Sequence, residues 1–518
     1  MNLLTEPLLR VQTDTGPRSM SLPELMEALG ADHVQHLPGL QRHQEDPFHV
    51  FLCSLAAAVL ARRGDINPVQ PASYWESGLR ALAGDQGDEA WTLVVDDLAR
   101  PAFMQPPLPK ADWGKLRLSA TTPDELDLLP TAKNHDLKRA RASRPHIDEW
   151  IYSLVSLQTM SGFFGRGNPG ISRMNSGFGN RPIVELIRDH RMGPRWRDAL
   201  IRVLKHRNDV LSQAFGYQMN GLALVWTQEW DGETSLPLNC LDPNYVEICR
   251  RVRLREKNGK LWAESVPSNA NRIDAKHLSG VVGDPWLPID LGASPKALTI
   301  TSQGLTADVL RRLIFADEIQ LTPLQRPLDA WQGTVWLRIS VLVRGQGTTD
   351  GYHERIVPIP ASKQRMLFHS PTAGASLAAI AKTAIEYAGI MCSRVLRRSA
   401  LVYLMGAPQK PQSERDTAQL WWQKLSARFD ALWSDTYFPW LWSLPDKVDD
   451  LEAARDWSQR LLEVARQVLH EAEKALPQRT GRAYRAKVEA ERAFWTSFYS
   501  EKHFGFLKEW KNERAADI

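Results

Sequence analysis

The stretch GFFGRGNPGISRMNSGFGNRP, residues 162–182, contains six glycines, two prolines and three arginines in 21 residues. Glycine has no Cβ, so its backbone N–H groups approach a ligand closely and positive φ angles cost little. Three asparagines add side chains that both donate and accept hydrogen bonds, and the arginines add charge on planar groups of donors. This composition predicts a long surface loop suited to a polyanion, although glycines that only form turns explain it equally well.

This stretch matches two nucleotide-binding motifs in part. Residues 165–170 match the dinucleotide pattern GxGxxG, but Pro169 and the glycines and asparagines after it prevent the helix that this motif requires. Gly162 and Gly167 have the spacing of a phosphate-binding loop, yet Asn168 and Pro169 stand where lysine and serine or threonine are needed. Neither motif is therefore predicted.

The composition is that of an ordinary globular protein. With 518 residues, 43% hydrophobic and 24% charged, the chain is expected to form two or three domains. Its net charge of +4 permits an anionic partner without requiring one. The longest apolar run, residues 50–60, is too short to cross a bilayer, and the N-terminus lacks a signal-peptide pattern, so no membrane association is expected.

The cysteines argue against disulfides and metal. Four are present, none in a CxxC pair and none near a histidine at ligand spacing: Cys53, Cys240, Cys249 and Cys392. We therefore expect no disulfide framework, no metal and a reducing, cytoplasmic location.

Periodicity predicts the architecture. Helical patterns and short strands occupy the chain to about residue 230, and strand patterns follow to about residue 370. Four helical stretches then cover 375–405, 414–442, 446–476 and 481–510, with prolines in their connections, as in an up-down four-helix bundle. We predict an α+β fold: a mixed N-terminal domain, 1–371, with mostly antiparallel strands, followed by a C-terminal four-helix bundle, 372–518.

Basic residues cluster between 128 and 150, opposed within the cluster only by Asp136. The cluster consists of Lys133, Lys138, Arg139, Arg141 and Arg144. Such a run indicates either a nucleic-acid contact or a solvated loop. Further along, the strand pattern at 245–254 places Arg251 and Arg253 on one face and Arg250 on the other. The strand patterns 336–343 and 354–360 flank a glycine-rich hairpin tip, RGQGTTDG, at 344–351.

No catalytic motif is recognisable. The chain lacks GxSxG, HExxH, a phosphate loop with its lysine, and deaminase or HNH patterns. Asp350, His353 and Glu354 form a possible acid–base group, and Asp284 is a lone carboxylate, but metal-dependent phosphodiester chemistry needs several convergent carboxylates. We predict a binding protein without enzymatic activity or cofactor. A metal-dependent nuclease and a scaffold that binds only proteins remain the alternatives.

Several motifs together resemble a known family. In chain order they are MNLL at 1–4, PAFMQ at 101–105, KNH at 133–135, the glycine-rich stretch at 162–182, GDPW at 283–286 and RGQGTTDGYHER at 344–355. Their order and spacing resemble the large subunit of the type I-E CRISPR surveillance complex Cascade, the CasA family, over the whole chain. Some relatives bind zinc through paired CxxC cysteines, which this chain lacks.

The resemblance implies a non-catalytic subunit that recognises the protospacer-adjacent motif in double-stranded DNA. It implies that the subunit starts strand separation, lets the guide RNA pair with the target, and later docks a helicase–nuclease. In RNA-guided recognition generally, protein recognises a short duplex tag and base pairing recognises the remaining sequence. The implied partners are the other Cascade subunits, the guide RNA, target DNA and the helicase–nuclease.

The resemblance also assigns residues to these roles. A glycine loop that contacts the motif from the minor groove corresponds to Gly162, Phe163, Phe164, Gly165, Arg166, Gly167 and Asn168. A hairpin wedge that separates the strands corresponds to Gly345, Gln346, Gly347, Thr348, Thr349 and Asp350. A basic finger in the minor groove corresponds to Arg251, with Arg250 and Lys276 as alternatives. A loop that meets the guide RNA and neighbouring subunits corresponds to Lys133, Asn134, His135, Lys138, Arg139 and Arg141.

Overall fold

The computed structural model describes residues 1–127, 145–173, 180–329, 331–345, 348–369, 371–405, 412–475, 480–500, 502 and 504–507. The chain divides into two compact units, one formed by residues 1–305 with 318–358, the other by 306–317 with 359–518. The first unit mixes helices with mostly antiparallel sheets and the second is helical, which confirms the predicted α+β class. The sequence had placed a domain boundary at 371, whereas the compact units divide at 358.

The first unit contains seven helices among its described residues. They are α1 (Leu22–Gly30), α2 (Arg42–Arg63), α3 (Ala72–Leu82), α4 (Lys110–Trp113), α5 (Pro123–Asp127), α6 (Ile147–Thr159) and α7 (Met192–Leu211). The longest apolar run, residues 50–60, lies in α2, which is buried along most of its length and packs against α3, α6 and α7. Gly64, in the left-handed conformation with φ of 65°, ends α2.

The strands of this unit are mostly short. They are β1 (Leu9–Thr13), β2 (Gly16–Met20), β3 (Val34–His36), β4 (Arg117–Ala120), β5 (Ile183–Ile187), β6 (Leu222–Leu224), β7 (Leu236–Pro237), β8 (Leu241–Val246), β9 (Arg251–Lys257), β10 (Lys260–Val266), β11 (Ile273–Asp274), β12 (Ile289–Asp290), β13 (Lys296–Ala297), β14 (Ile319–Gln320), β15 (Val335–Gly345) and β16 (Thr348–Ile359). Two sheets matter for the site. One has the order β4-β10-β9 and the other the order β16-β15-β5.

The second unit is built from long helices. Its described helices are α8 (Ala307–Phe315), α9 (Ala361–Gln364), α10 (Pro371–Ile390), α11 (Arg397–Met405), α12 (Gln412–Ser443), α13 (Asp450–Ala475) and α14 (Thr480–Phe498). A π-helical segment, Met391–Leu396, joins α10 to α11, so the first predicted bundle helix is one continuous run. Part of it, Gly374–Met405, is long and apolar enough to cross a membrane, a property that core helices of soluble proteins share.

Candidate nucleic-acid interface

The glycine loop, residues 162–168, follows α6 and forms a tight turn. The backbone N–H of Phe164 donates to the carbonyl of Asn168, and that of Asn168 donates to the carbonyl of Gly165, both at 3.1 Å. Gly165 and Gly167 have φ angles of +83° and +91°, which residues with a Cβ rarely adopt. The turn therefore depends on these two glycines.

Arg250 holds the loop in place from the neighbouring strand region. Its guanidinium donates to the carbonyls of Gly162 at 2.6 Å, Gly170 at 2.9 Å and Cys249 at 2.8 Å. On the other side of the turn, the N–H of Ser268 donates to the carbonyl of Gly167 at 2.8 Å. The predicted alternative finger Arg250 is thus half-buried and bonded to backbone carbonyls, and it positions the glycine loop.

The side chains of the loop point to different surroundings. Phe163 packs against a small apolar cluster that includes Leu287 and Ala297. Phe164 and Asn168 are half-buried, and Arg166 is exposed. No residue that the structure describes bonds the guanidinium of Arg166 or the side-chain amide of Asn168, so charge and hydrogen-bonding groups are available on this loop for a ligand.

Gln158 lies near the end of α6 and belongs to none of the sequence motifs. Its Oε1 accepts hydrogen bonds from the backbone N–H groups of Cys249 and Arg250, both at 2.8 Å. Its Nε2 donates to the carbonyls of Met104 at 2.9 Å and Arg250 at 3.0 Å. The sequence does show a polar residue on the buried face of this helix, which indicates a buried hydrogen-bonding role. It does not show the partners, because they are remote in sequence. Gln158 joins the PAFMQ segment and the strand region to the helix that precedes the loop.

The GDPW motif has a structural role. Asp284 is buried and accepts a hydrogen bond from Arg181 at 2.7 Å and another from the N–H of Trp286 at 3.1 Å. Burial opposes ionisation of Asp284, but the positive charges of Arg181 and Arg173 lower its pKa below the ordinary value. This carboxylate therefore links the end of the glycine-rich stretch to GDPW and is not free for catalysis.

Arg251, the first-choice residue for the basic finger, lies in the interior and is paired with Asp112. Its side chain is buried and donates to the carboxylate of Asp112 and to the carbonyl of Pro267 at 2.8 Å. Burial opposes ionisation of Asp112, but hydrogen bonds from Lys115 and Arg251 lower its pKa. A guanidinium that is 3% exposed and bonded on two sides does not reach a DNA groove.

Lys276 is the exposed member of the three predicted finger residues. It lies in a single 3₁₀ turn, Lys276–Leu278, and no described residue pairs with its ammonium group. The carbonyl of Ser279, just after this turn, accepts a hydrogen bond from the N–H of Ala297 at 3.0 Å. Because Ala297 belongs to the apolar cluster that Phe163 packs against, the Lys276 turn is connected to the glycine loop.

The predicted wedge is described only in part. Strand β15 ends at Gly345 and strand β16 begins at Thr348. Gln346 and Gly347, between them, lie outside the described residues. The strands of this hairpin are anchored through Glu354, which accepts from Nε and Nη2 of Arg42, both at 2.8 Å, and pairs with Arg338 at 3.0 Å. Arg338 also donates to Asp46 of α2 at 2.9 Å.

A buried ion-pair network continues from this anchor. Arg195 bridges Asp46 and Glu185, each at 2.9 Å, and Arg202 donates to Glu185 at 3.0 Å. Burial opposes ionisation of Glu185, but Arg195, His49 and Arg202 lower its pKa to about 2. These ion pairs connect helix α2, strand β5, helix α7 and the hairpin.

The predicted guide-RNA loop, with Lys133, Asn134, His135, Lys138, Arg139 and Arg141, lies outside the described residues. Its preceding helix is well anchored, because the buried Asp127 bonds His43 at 2.7 Å and Ser156 at 3.1 Å. Among the described residues, no group of three or more His, Cys, Asp or Glu side chains is arranged to hold a metal ion.

Neither the protein-family models nor the curated proteins gave a match to this sequence. Solved structures did. Cse1 from Acidimicrobium ferrooxidans has a TM-score of 0.59 at 15% identity, covering 96% of this chain and 97% of that chain. CasA (Cse1) from Thermus thermophilus has a TM-score of 0.61 at 14% identity, covering 96% and 99%. A chain of a CRISPR RNA-guided surveillance complex has a TM-score of 0.53 at 14% identity, covering 96% and 99%.

The TM-scores show a shared fold despite the low identity, and the coverage shows that both units take part in it. The resemblance that the sequence motifs indicated is confirmed as a likeness of fold. The protein therefore has the fold of the CRISPR-associated Cse1 (CasA) proteins over nearly its whole length.

Proposed function

We propose that this chain is the large subunit of a type I-E Cascade complex. In this role it recognises the protospacer-adjacent motif in double-stranded DNA, initiates unwinding for guide RNA pairing, and helps to recruit the helicase–nuclease. It acts without catalysis, in the cytoplasm, together with the other Cascade subunits. The observation that carries the proposal is the glycine loop, to which Arg250 is hydrogen-bonded while Arg166 stays exposed, within the fold of the Cse1 proteins.

The physical properties of the loop suit the minor groove of DNA. That groove is narrow and its hydrogen-bonding code distinguishes mainly A·T from G·C pairs, so glycine backbone with one or two long side chains gives loose discrimination. Lys276 replaces Arg251 as the proposed finger, because its exposed ammonium group is available to phosphates and groove acceptors. Recognition of several related motifs is the expected consequence.

Residues 345–350 are proposed as the wedge. Insertion into a duplex costs a few kcal/mol for each unstacked step. A hairpin that transmits this force needs a firm base, and the pairing of Glu354 with Arg42 and Arg338 supplies one. The same pairing disfavours the nuclease alternative, because a carboxylate held between two guanidinium groups is poorly placed to bind a metal ion. The basic segment around Lys138 is proposed to contact the guide RNA.

The proposal is tested by gel shifts with the assembled complex on duplexes that carry varied flanking trinucleotides. Gly165→Asp adds a negative side chain at the loop where nothing lies within 4 Å of a new Cβ. We expect motif-dependent affinity to fall at least tenfold. Gly259→Asp is the matched control, since Gly259 also has positive φ, +73°, and open surroundings in the β9–β10 turn. Unchanged motif-dependent binding by Gly165→Asp would contradict the proposal.

A further inference from the structure

A cleft of about 250 Å³ lies directly beside the glycine loop. The loop forms one wall through Phe164 and Asn168, and strands β9 and β10 form another through Val252 and Ser265. Leu157 of α6 lines it as well. Mostly apolar walls with a few polar groups are typical of sites for small organic ligands.

The size and charge of the cleft restrict its occupant. It is smaller than the roughly 300–1,000 Å³ of sites that enclose drug-sized ligands, so it suits one ring system. Glu125 and Asp127 line the cleft and oppose the entry of a phosphate. Arg250 and Arg251 also line it, but their guanidinium groups are bonded to loop carbonyls and to Asp112 respectively. An uncharged planar ring with a polar edge satisfies these conditions.

Three groups are available to recognise such a ring. Phe164 is half-buried and lines the cleft, so its ring is in reach of a base that enters and can stack on it. Asn168 and Ser265 are half-buried. The side-chain amide of Asn168 and the hydroxyl of Ser265 form no hydrogen bond with any residue that the structure describes. Arg166, on the same loop, is exposed and does not line the cleft, so its charge is available to a phosphate outside it.

We infer that this cleft captures one unpaired nucleobase of the duplex that the glycine loop engages. The base stacks on Phe164 and bonds Asn168 and Ser265 through its edge, while its phosphate remains outside with Arg166. Extrusion of a base from a duplex costs free energy, which stacking in the cleft offsets in part. Capture would therefore hold the opened strands apart. This inference rests on the proposed function, because the loop must lie against DNA.

The test uses the complete complex with guide RNA. Duplexes carry 5-iodouracil at one position at a time beside the motif, and irradiation cross-links this base to aromatic side chains that stack on it. We expect one position to cross-link to Phe164, and only in duplexes that contain the motif. Ser265→Tyr, which fills the cleft from the strand wall, should reduce that yield at least tenfold in complexes that have bound the motif-containing duplex. Lys260→Tyr, exposed on the same strand, should leave the yield unchanged.

A second variant guards against misfolding of the first. Phe164→Leu changes a half-buried loop side chain and is expected to make the captured thymine reactive to permanganate, as its unpaired neighbours are. Motif-dependent binding without a cross-link to Phe164, or full cross-linking in Ser265→Tyr, would overturn the inference alone. Absence of any motif-dependent binding would instead overturn the proposed function, and this inference with it.

Discussion

Three basic side chains in and around the proposed interface differ in what surrounds their charge. The guanidinium of Arg251 is buried against Asp112, that of Arg250 is bonded to three backbone carbonyls, and the ammonium of Lys276 is exposed. A charge that is already paired or hydrogen-bonded within the protein contributes little to the binding of a polyanion. An exposed lysine that neutralises a DNA phosphate releases the counterions condensed on the DNA, which favours binding. The three residues are therefore expected to respond differently to truncation.

Lys276→Ala is expected to weaken binding of motif-containing duplex by about tenfold and to lower the slope of log affinity against log salt by about one. Its folding should be unaffected, since no described residue pairs with this side chain. Fluorescence anisotropy of the assembled complex at several salt concentrations measures both effects. Lys260→Ala, an exposed lysine of β10, is the control. Equal affinities for Lys276→Ala and wild type would rule out Lys276 as the finger.

Arg251→Ala is expected to act on stability. It removes the buried partner of the Asp112 carboxylate, which keeps the exposed ammonium of Lys115, so the free energy of unfolding should fall by about 1–3 kcal/mol. Urea unfolding of the isolated chain, followed by tryptophan fluorescence, measures the loss. A variant that folds with wild-type stability but loses DNA binding would restore Arg251 as the finger.

The glycine loop and the β15–β16 hairpin are each held by contacts with residues that are remote in sequence. Glycine and proline content predicted the loop at 162–182, and alternating strand patterns predicted the hairpin, because both features arise from local backbone preferences. The burial of Arg251 was missed because alternation assigns a side chain to a face but does not show that Asp112 covers that face. Likewise, the bonds from Arg42 to Glu354 join residues 312 positions apart, and no local pattern reveals such pairs.

Arg250→Ala is expected to loosen the glycine loop. Without the guanidinium, the carbonyls of Gly162 and Gly170 lose their donor, and amide hydrogen exchange across 162–170 should accelerate by tenfold or more. Arg250→Lys should restore only part of the protection, because a lysine ammonium does not reproduce the planar fork of donors. Arg255→Ala, on the same strand region, is the matched control. Unchanged exchange in Arg250→Ala would show that the loop is held by other contacts.

Glu354→Gln is expected to weaken the base of the hairpin. The uncharged amide loses the ion pairs with Arg42 and Arg338, so the hairpin should transmit less force to the duplex. With 2-aminopurine beside the motif, strand opening by the assembled complex should slow several-fold while motif-dependent affinity is retained. Opening at the wild-type rate would contradict a role for this anchor. Cleavage of DNA by the wild type in Mg²⁺ that Glu354→Gln abolishes would favour the nuclease alternative.

Both compact units have aromatic side chains in their cores, and the first also contains a buried ion-pair network. The network that joins Asp46 and Glu185 to three arginines lies in the first unit, and aromatic side chains such as Trp457 fill the core of the second. The sequence predicted a mixed unit followed by long helices because periodicity extends over many residues. It did not assign residues 306–317 to the second unit, since that grouping depends on tertiary contacts.

The first unit is expected to be sensitive to acid. The pKa of Glu185 falls from its ordinary value of 4.5 to about 2 on folding, so its contribution is complete above about pH 5 and is lost as the pH falls towards 2. A shift of that size corresponds to about 3 kcal/mol. Hydrogen exchange resolved by peptide between pH 5 and pH 3 measures it for each unit. Glu185→Gln should be less stable at pH 7 and should flatten the pH dependence; a dependence as steep as wild type would contradict this account.

Glycine backbone, accompanied by Lys276, is proposed to enter the minor groove at the motif. This claim is tested most directly by the structure of the assembled complex bound to a motif-containing duplex. We expect backbone atoms of residues 162–168 to lie within hydrogen-bonding distance, about 3 Å, of base edges in the minor groove. The ammonium of Lys276 should lie in the same groove. A structure in which residues 162–168 face away from the DNA while the motif is bound elsewhere would contradict the claim.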